Sequence, residues 1–188
     1  MVKLGFICEG ATEKILVDSP NFKQFLEQYN CQSIGSVDAS GNGNLLPKNI
    51  QPFIKTLRAK GAEKIFILTD LDSDLCITLT KERIAAPDNT ITVIAVKTLE
   101  SWFLADDALL TVLCGEECRI DFPELEINPF QTLRSLVNSK TGRGLGISKT
   151  VVAKKMISGG FSLSRVSEHP NCHSVKYFIK KLEEASTI

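Results

Sequence analysis

The sequence reads as an α/β protein with a Rossmann-like parallel sheet and helices on both faces, and three observations predict it. Apolar, β-branched or aromatic runs of strand length recur at Lys3–Cys8, Ile65–Leu68 and Ile91–Val96, without the polar alternation of a sheet that faces water on one side. Helix-patterned segments separate these runs, so crossovers rather than hairpins join the strands. Each run is closed by carboxylates: Glu9 after the first, Asp70 with Asp72 and Asp74 after the second, Glu100 after the third. In an open α/β sheet the carboxyl ends of parallel strands share one edge, and ligands bind there.

The first strand runs into Glu9-Gly10-Ala11-Thr12-Glu13 and then a helix over Thr12–Gln28. Gly10 is expected to adopt a backbone conformation that other residues resist. Glu13 falls in the first helical turn, where a carboxylate suits the positive helix end. Ile34–Val37 is a short strand leading into the turn-rich loop Ser40–Asn44, and Asn49–Lys60 is a helix stopped by Gly61. In a strand-like continuation Asp70, Asp72 and Asp74 would point the same way and repel one another. A hard divalent cation would neutralise them; a solvated Asp-rich turn that starts the next helix is the alternative. Ile77–Ala85 is helical, and Lys97–Asp106 turns into a helix that offers Trp102, Phe103 and Leu104 for packing.

Beyond Cys114 the expected elements are a proline-bounded acidic loop over Asp121–Pro129 and a helix over Phe130–Asn138. A further helix is capped by Ser148, runs through Met156 and ends at Gly159-Gly160. The last, about Cys172–Ala185, has Val175, Phe178, Ile179 and Leu182 on one face. Residues 1–110 thus form an α/β core and 111–188 a helical extension packed on it, one domain overall.

The chain has 188 residues, 43% of them hydrophobic, and its mean hydropathy is +0.04. No apolar stretch approaches the ~20 residues of a membrane span, and the N-terminus lacks the apolar core of a signal peptide. A cytoplasmic protein without a membrane role is expected. Six scattered cysteines in a chain able to build its own core read mainly as buried thiols. Cys114 and Cys118 with His169, Cys172 and His173 offer zinc ligands, at a spacing that fits no common knuckle. Thr141–Thr150 has a superficial likeness to a phosphate-binding Walker loop, but Arg143 and Ser148 stand where its glycines are required. A Gly-x-Gly-x-x-Gly turn is absent after the first strand, which disfavours a dinucleotide site.

Zero net charge conceals a polarity along the chain. Glu63–Glu126 holds fourteen acids and five bases, a balance of −9, and Arg134–Lys181 holds ten bases and one acid, +9. A metal cluster would draw on the first segment, and a phosphate backbone would be drawn to the second. Mutual attraction of the two segments, or solvated helix faces, accounts for the asymmetry equally well.

Three motifs in this order resemble the Toprim domain, particularly the variant of OLD-type nucleases and their small stand-alone relatives. They are Phe6-Ile7-Cys8-Glu9-Gly10-Ala11-Thr12-Glu13, the strand ending in Asp70-x-Asp72, and Leu99-Glu100-Ser101-Trp102-Phe103-Leu104-Ala105-Asp106. The resemblance spans residues 1–110. It implies a sheet that holds Mg²⁺ or Mn²⁺ for phosphodiester chemistry, with Glu9, Glu13, Asp70, Asp72 and Glu100 as metal-site candidates. Lys149 resembles a basic residue beyond the core that stabilises the transition state. Topoisomerase chemistry, which needs a tyrosine nucleophile, is not expected of Tyr29 or Tyr177. OLD nucleases also carry an ATPase domain, which implies a separate ATPase partner for any ATP-driven step.

The expected function is therefore metal-dependent hydrolysis of nucleic acid, DNA before RNA, in nucleic-acid processing or phage defence. Glu9 serves as ligand or general base, and Lys149 steadies phosphorane charge. The alternative is a Toprim-like binding module that acts with a partner such as an ATPase and turns nothing over.

Overall fold

The computed structural model describes residues 1–186. Among them, β1 (Val2–Cys8), β2 (Cys31–Asp38), β3 (Lys64–Asp70) and β4 (Thr90–Ala95) form one sheet in the order β2-β1-β3-β4, with every neighbouring pair parallel. The register pairs Cys8 with Leu68 and Asp70 with Ala95, so β1, β3 and β4 deliver their last residues to a common edge. Chain order reverses between β1 and β3, which makes their carboxyl ends the switch point of a doubly wound sheet.

Alternation along the strands divides the core in two. Leu4, Phe6, Cys8, Phe66, Leu68, Val93 and Ala95 face a large cluster built with α1 (Ala11–Asp18), α2 (Pro20–Glu27) and the helices that follow β4. Ile7, Ile65 and Ile67 face a smaller one with α3 (Pro47–Ala59) and Ile84 of α4 (Ile77–Ile84). Helices therefore cover both faces, as the unbroken apolar strands require. Gly5 lets α3 lie close: a Cβ there would stand 3.0 Å from Leu57 Cβ and 3.2 Å from Ala62 Cβ.

After β4 come α5 (Glu100–Leu104), α6 (Asp107–Cys114), α7 (Pro129–Thr141), α8 (Lys149–Ser158), α9 (Leu163–Glu168) and α10 (His173–Ser186). Trp102 and Phe178 stack at 6.1 Å, and Phe178 also meets Phe22 and Phe66, so residues from both ends of the chain share one aromatic core. Two buried carboxylates fasten this half. Asp106 accepts from the N–H groups of Leu109 and Ser162 and from the Arg165 guanidinium. Glu124 accepts from the N–H groups of His173 and Ser174 at the start of α10 and from the Ser174 hydroxyl.

Several sequence expectations need correction. The helix expected over Thr12–Gln28 is two helices, because Pro20 supplies no N–H and Ser19 closes α1 and caps α2 through the Phe22 N–H. Tyr29 lies in the turn after α2 and packs on Phe25. The Ser40–Asn44 loop ends in a 3₁₀ turn, Asn42–Leu45, and the acidic loop contains another at Pro123–Leu125. The six-residue α9 was too short for its apolar period to register. β2 is longer than Ile34–Val37, its polar residues being half-buried at a sheet edge. The zinc reading finds other uses for its residues: His169 contacts the Ile120 carbonyl, and Cys172 lies against Glu124. Among the described residues no helix is long and apolar enough to cross a membrane.

Candidate functional site

Glu9 leaves β1 and is held by its neighbour strand. Its Oε2 accepts from the Thr69 hydroxyl and, at 3.2 Å, from the Asp70 N–H. Oε1 takes no part in this anchorage. Gly10 follows in ordinary extended backbone, φ −148°, so the conformational reason expected for this glycine does not hold. What the turn does use is the Gly10 N–H, which donates to Glu13 Oε2 at 3.0 Å and fixes the carboxylate at the start of α1.

Asp70 ends β3 buried, with its Oδ1 accepting the Leu99 N–H at 2.8 Å, a bond that ties β3 to the turn before α5. Glu100 opens α5 and is 1% exposed. Its Oε1 has no hydrogen-bond donor among the described residues, while Oε2 is paired with the Lys149 ammonium at 3.3 Å. That pairing is the charge compensation the structure gives the Glu100 carboxylate. Lys149 is the first residue of α8, which Ser148 caps by accepting the Val151 N–H, and α8 packs on α1. A residue from the far end of the sequence thus stands over the strand ends.

The electrostatics follow from this crowding. Burial, then the charges of Glu13 and Glu100, pushes the Asp70 carboxyl well above its usual range. Burial also raises Glu13, against the hydrogen bonds that favour its charged form, from an ordinary 4.5 to about 7, with Glu9 and Glu100 adding to the rise. Burial would lower Lys149, but Glu100 and Asp70 outweigh it and its ammonium is held more firmly than usual. Carboxylates that raise one another's proton affinity are equally a demand for a cation.

Asp72 and Asp74 do not extend the strand. β3 stops at Asp70, and Asp72 takes a left-handed φ of +50° while its N–H donates to Lys97, itself at φ +63°. The alternation expected of the three aspartates is therefore broken by a turn. Asp74 is committed elsewhere: the Thr80 hydroxyl and the Arg83 guanidinium hold its carboxyl below the usual range. Asp72 remains at the rim, exposed.

These groups meet in an open cleft of about 380 Å³ whose walls include Glu9, Glu13, Asp38, Asp70, Asp72 and Lys149, with Glu100 buried behind Lys149. The sequence reading missed Asp38. It closes β2 as Glu9 closes β1, so the same strand-end rule applied to the fourth strand would have found it. Among the described residues no three acidic, histidine or cysteine side chains form a ready-made metal cage. The donor set still fits a hard divalent ion: all its ligand candidates are carboxylates, and Glu100 brings a buried Oε1 that no donor satisfies.

Fold and site together define a doubly wound α/β protein with an acidic, lysine-lined cleft at its switch point. Two solved structures resemble it over nearly the whole chain. One is the C-terminal region of the Burkholderia pseudomallei OLD protein, at 16% identity, covering 97% of this chain and 99% of that one with a TM-score of 0.48. The other is the C-terminal region of the Xanthomonas campestris pv. campestris OLD protein, at 14% identity, 98% and 94% coverage and a TM-score of 0.37. No family model and no curated protein matches the sequence.

Proposed function

We propose that the protein hydrolyses phosphodiester bonds of nucleic acid with the help of Mg²⁺ or Mn²⁺. The observation that carries this reading is the convergence of Glu9, Glu13, Asp70 and Glu100 with Lys149 at one sheet edge, Glu100 keeping a buried Oε1 without a donor. Glu9, Asp70 and Glu100 would hold the metal, with Glu13 and Asp72 as further ligands. The ion would neutralise phosphate charge and favour the hydroxide form of a water. Anchored through Oε2, Glu9 has Oε1 to bind the metal or to take the proton of the attacking water.

Lys149 would act on the other partner of the reaction. Its ammonium is kept protonated by Glu100 and Asp70, and its side chain is 46% exposed, so it can donate to a non-bridging phosphoryl oxygen as negative charge develops. Cleavage needs no ATP, so a separate ATPase would govern where or when the cut is made. The test is a nuclease assay on single-stranded and duplex substrates with Mg²⁺, Mn²⁺ or EDTA. Metal-dependent cleavage that Glu100→Gln abolishes is expected. A wild-type protein inactive on every substrate with both metals, yet tightly bound by a partner, would make it a binding module instead.

A further inference from the structure

A second cleft adjoins the carboxylate cleft and shares Asp72 and Lys149 with it as a common rim. Its volume is about 550 Å³, within the ~300–1,000 Å³ range of small-ligand sites. The chemistry of its walls is different. Ile127 is 94% exposed, the most exposed large apolar side chain among the described residues. Phe130 beside it is braced by the Arg134 guanidinium, 5.3 Å from the ring centroid, and Arg134 is in turn fixed to the Gly146 carbonyl at 2.6 Å. Lys97 brings a positive charge, and Thr98 carries a buried hydroxyl without a hydrogen-bond partner.

The rim of this second cleft is shaped by a sharp backbone turn. Asp72 and Lys97 both occupy the left-handed region, and the Asp72 N–H donates to the Lys97 carbonyl at 2.8 Å. Such conformations cost energy in residues other than glycine and concentrate where a surface is shaped for use.

We infer that this cleft is a nucleobase subsite, taking the nucleotide next to a phosphate held at the carboxylate cleft, and that the substrate is single-stranded or locally opened nucleic acid. The inference rests on the hydrolytic reading for its orientation. A base inside a duplex is stacked on both faces and cannot reach Ile127 and Phe130; an unpaired base can lie against them while Lys97 and Lys149 meet the flanking phosphates. The apolar wall reads the π-face that every base has, so little sequence preference is expected.

The test uses the whole chain and two independent readouts. Fluorescence anisotropy in Ca²⁺ buffer compares a fluorescein-labelled oligothymidylate with a blunt hairpin duplex, and hydrolysis of bis(p-nitrophenyl) phosphate in Mn²⁺ reads the chemistry without a base. Wild type is expected to prefer the single strand about tenfold. Ile127→Ser should erase most of that preference, Ile127→Trp should keep or exceed it, and both should still hydrolyse the small diester in Mn²⁺, any change falling on KM through the diester's aromatic rings and not on kcat. Loss of no preference in Ile127→Ser, with the diester hydrolysed, overturns the subsite and spares the hydrolytic reading. A preserved Ile127-dependent preference with no hydrolysis of any diester overturns hydrolysis and supports the cleft as a single-strand binding site.

Discussion

Glu13→Gln should make the metal-free protein more stable at neutral pH, although it removes a group with a hydrogen-bonded place in the fold. Glu13 is 5% exposed and its carboxyl is pushed from 4.5 to about 7, chiefly by burial. Between those values the folded chain keeps a proton that the unfolded chain has released. The unfolded state then binds fewer protons, so stability falls as pH rises through this window. At about 1.4 kcal/mol per tenfold change in proton affinity, the loss is about 3 kcal/mol. For a protein of this size that is a fall in Tm of about 6–12 °C. Glutamine keeps an oxygen for the Gly10 N–H and cannot ionise. Melting curves followed by circular dichroism in EDTA from pH 4.5 to pH 8 should show wild type losing stability on the alkaline side. Glu13→Gln should lose less, its slope not vanishing because Asp70 is raised as well. Saturating Mn²⁺, at about 100 times its dissociation constant, should restore roughly 2.7 kcal/mol to wild type by mass action. A wild-type Tm flat from pH 5 to pH 8, or a variant clearly less stable than wild type at pH 8, would refute the idea that the edge is strained by its own charge.

Lys149→Ala should lower kcat about 10²–10³-fold with little change in KM, as expected for a donor that acts on transition-state charge, while Lys180→Ala, an exposed residue of α10, leaves both unchanged. Asp72→Asn should melt within about 0.5 kcal/mol of wild type in EDTA, because asparagine tolerates the left-handed φ of +50°, and a lost Mn²⁺ shift would assign Asp72 to the metal. Arg165→Ala should cost about 3 kcal/mol in urea unfolding, since it leaves the fully buried Asp106 without its cation. Gly5→Ala should cost about 1–3 kcal/mol by forcing Leu57 and α3 away from the sheet.

What could be read from the sequence was whatever a single periodic segment or strand end expresses. The parallel strands, the placement of Glu9, Asp70 and Glu100 at their ends, and the Ser148 cap all follow from local pattern and chain direction. The turn at Asp72 did not, because Asp-x-Asp-x-Asp is compatible with both a strand and a turn until the Asp72 N–H is seen bonded to Lys97, twenty-five residues away in sequence. Pro20 was a legible stop that the continuous apolar stripe of Thr12–Gln28 concealed. Glu124 could not be recognised as a cap for α10, because the helix it serves begins at His173 and only the tertiary fold brings the two together.

The position of Lys149 shows why an acidic edge and a basic C-terminal segment belong to one design. α5 carries Glu100, and α5 is held from the C-terminal half: the Trp102 indole N–H donates to Ser174 at 2.8 Å, Ser174 is bound by Glu124, and Phe103 meets Phe161 edge-on at 4.9 Å. The same half supplies α8, whose first residue reaches back to Glu100. A buried glutamate is tolerable only beside a cation, and here Lys149 is that cation. If a metal takes over that role, Lys149 is released from charge balance for the phosphate. On the proposed function, loss of the Lys149–Glu100 pair in Lys149→Ala should therefore raise the demand of Glu100 for a cation, read as a larger Mn²⁺-induced rise in Tm than wild type shows.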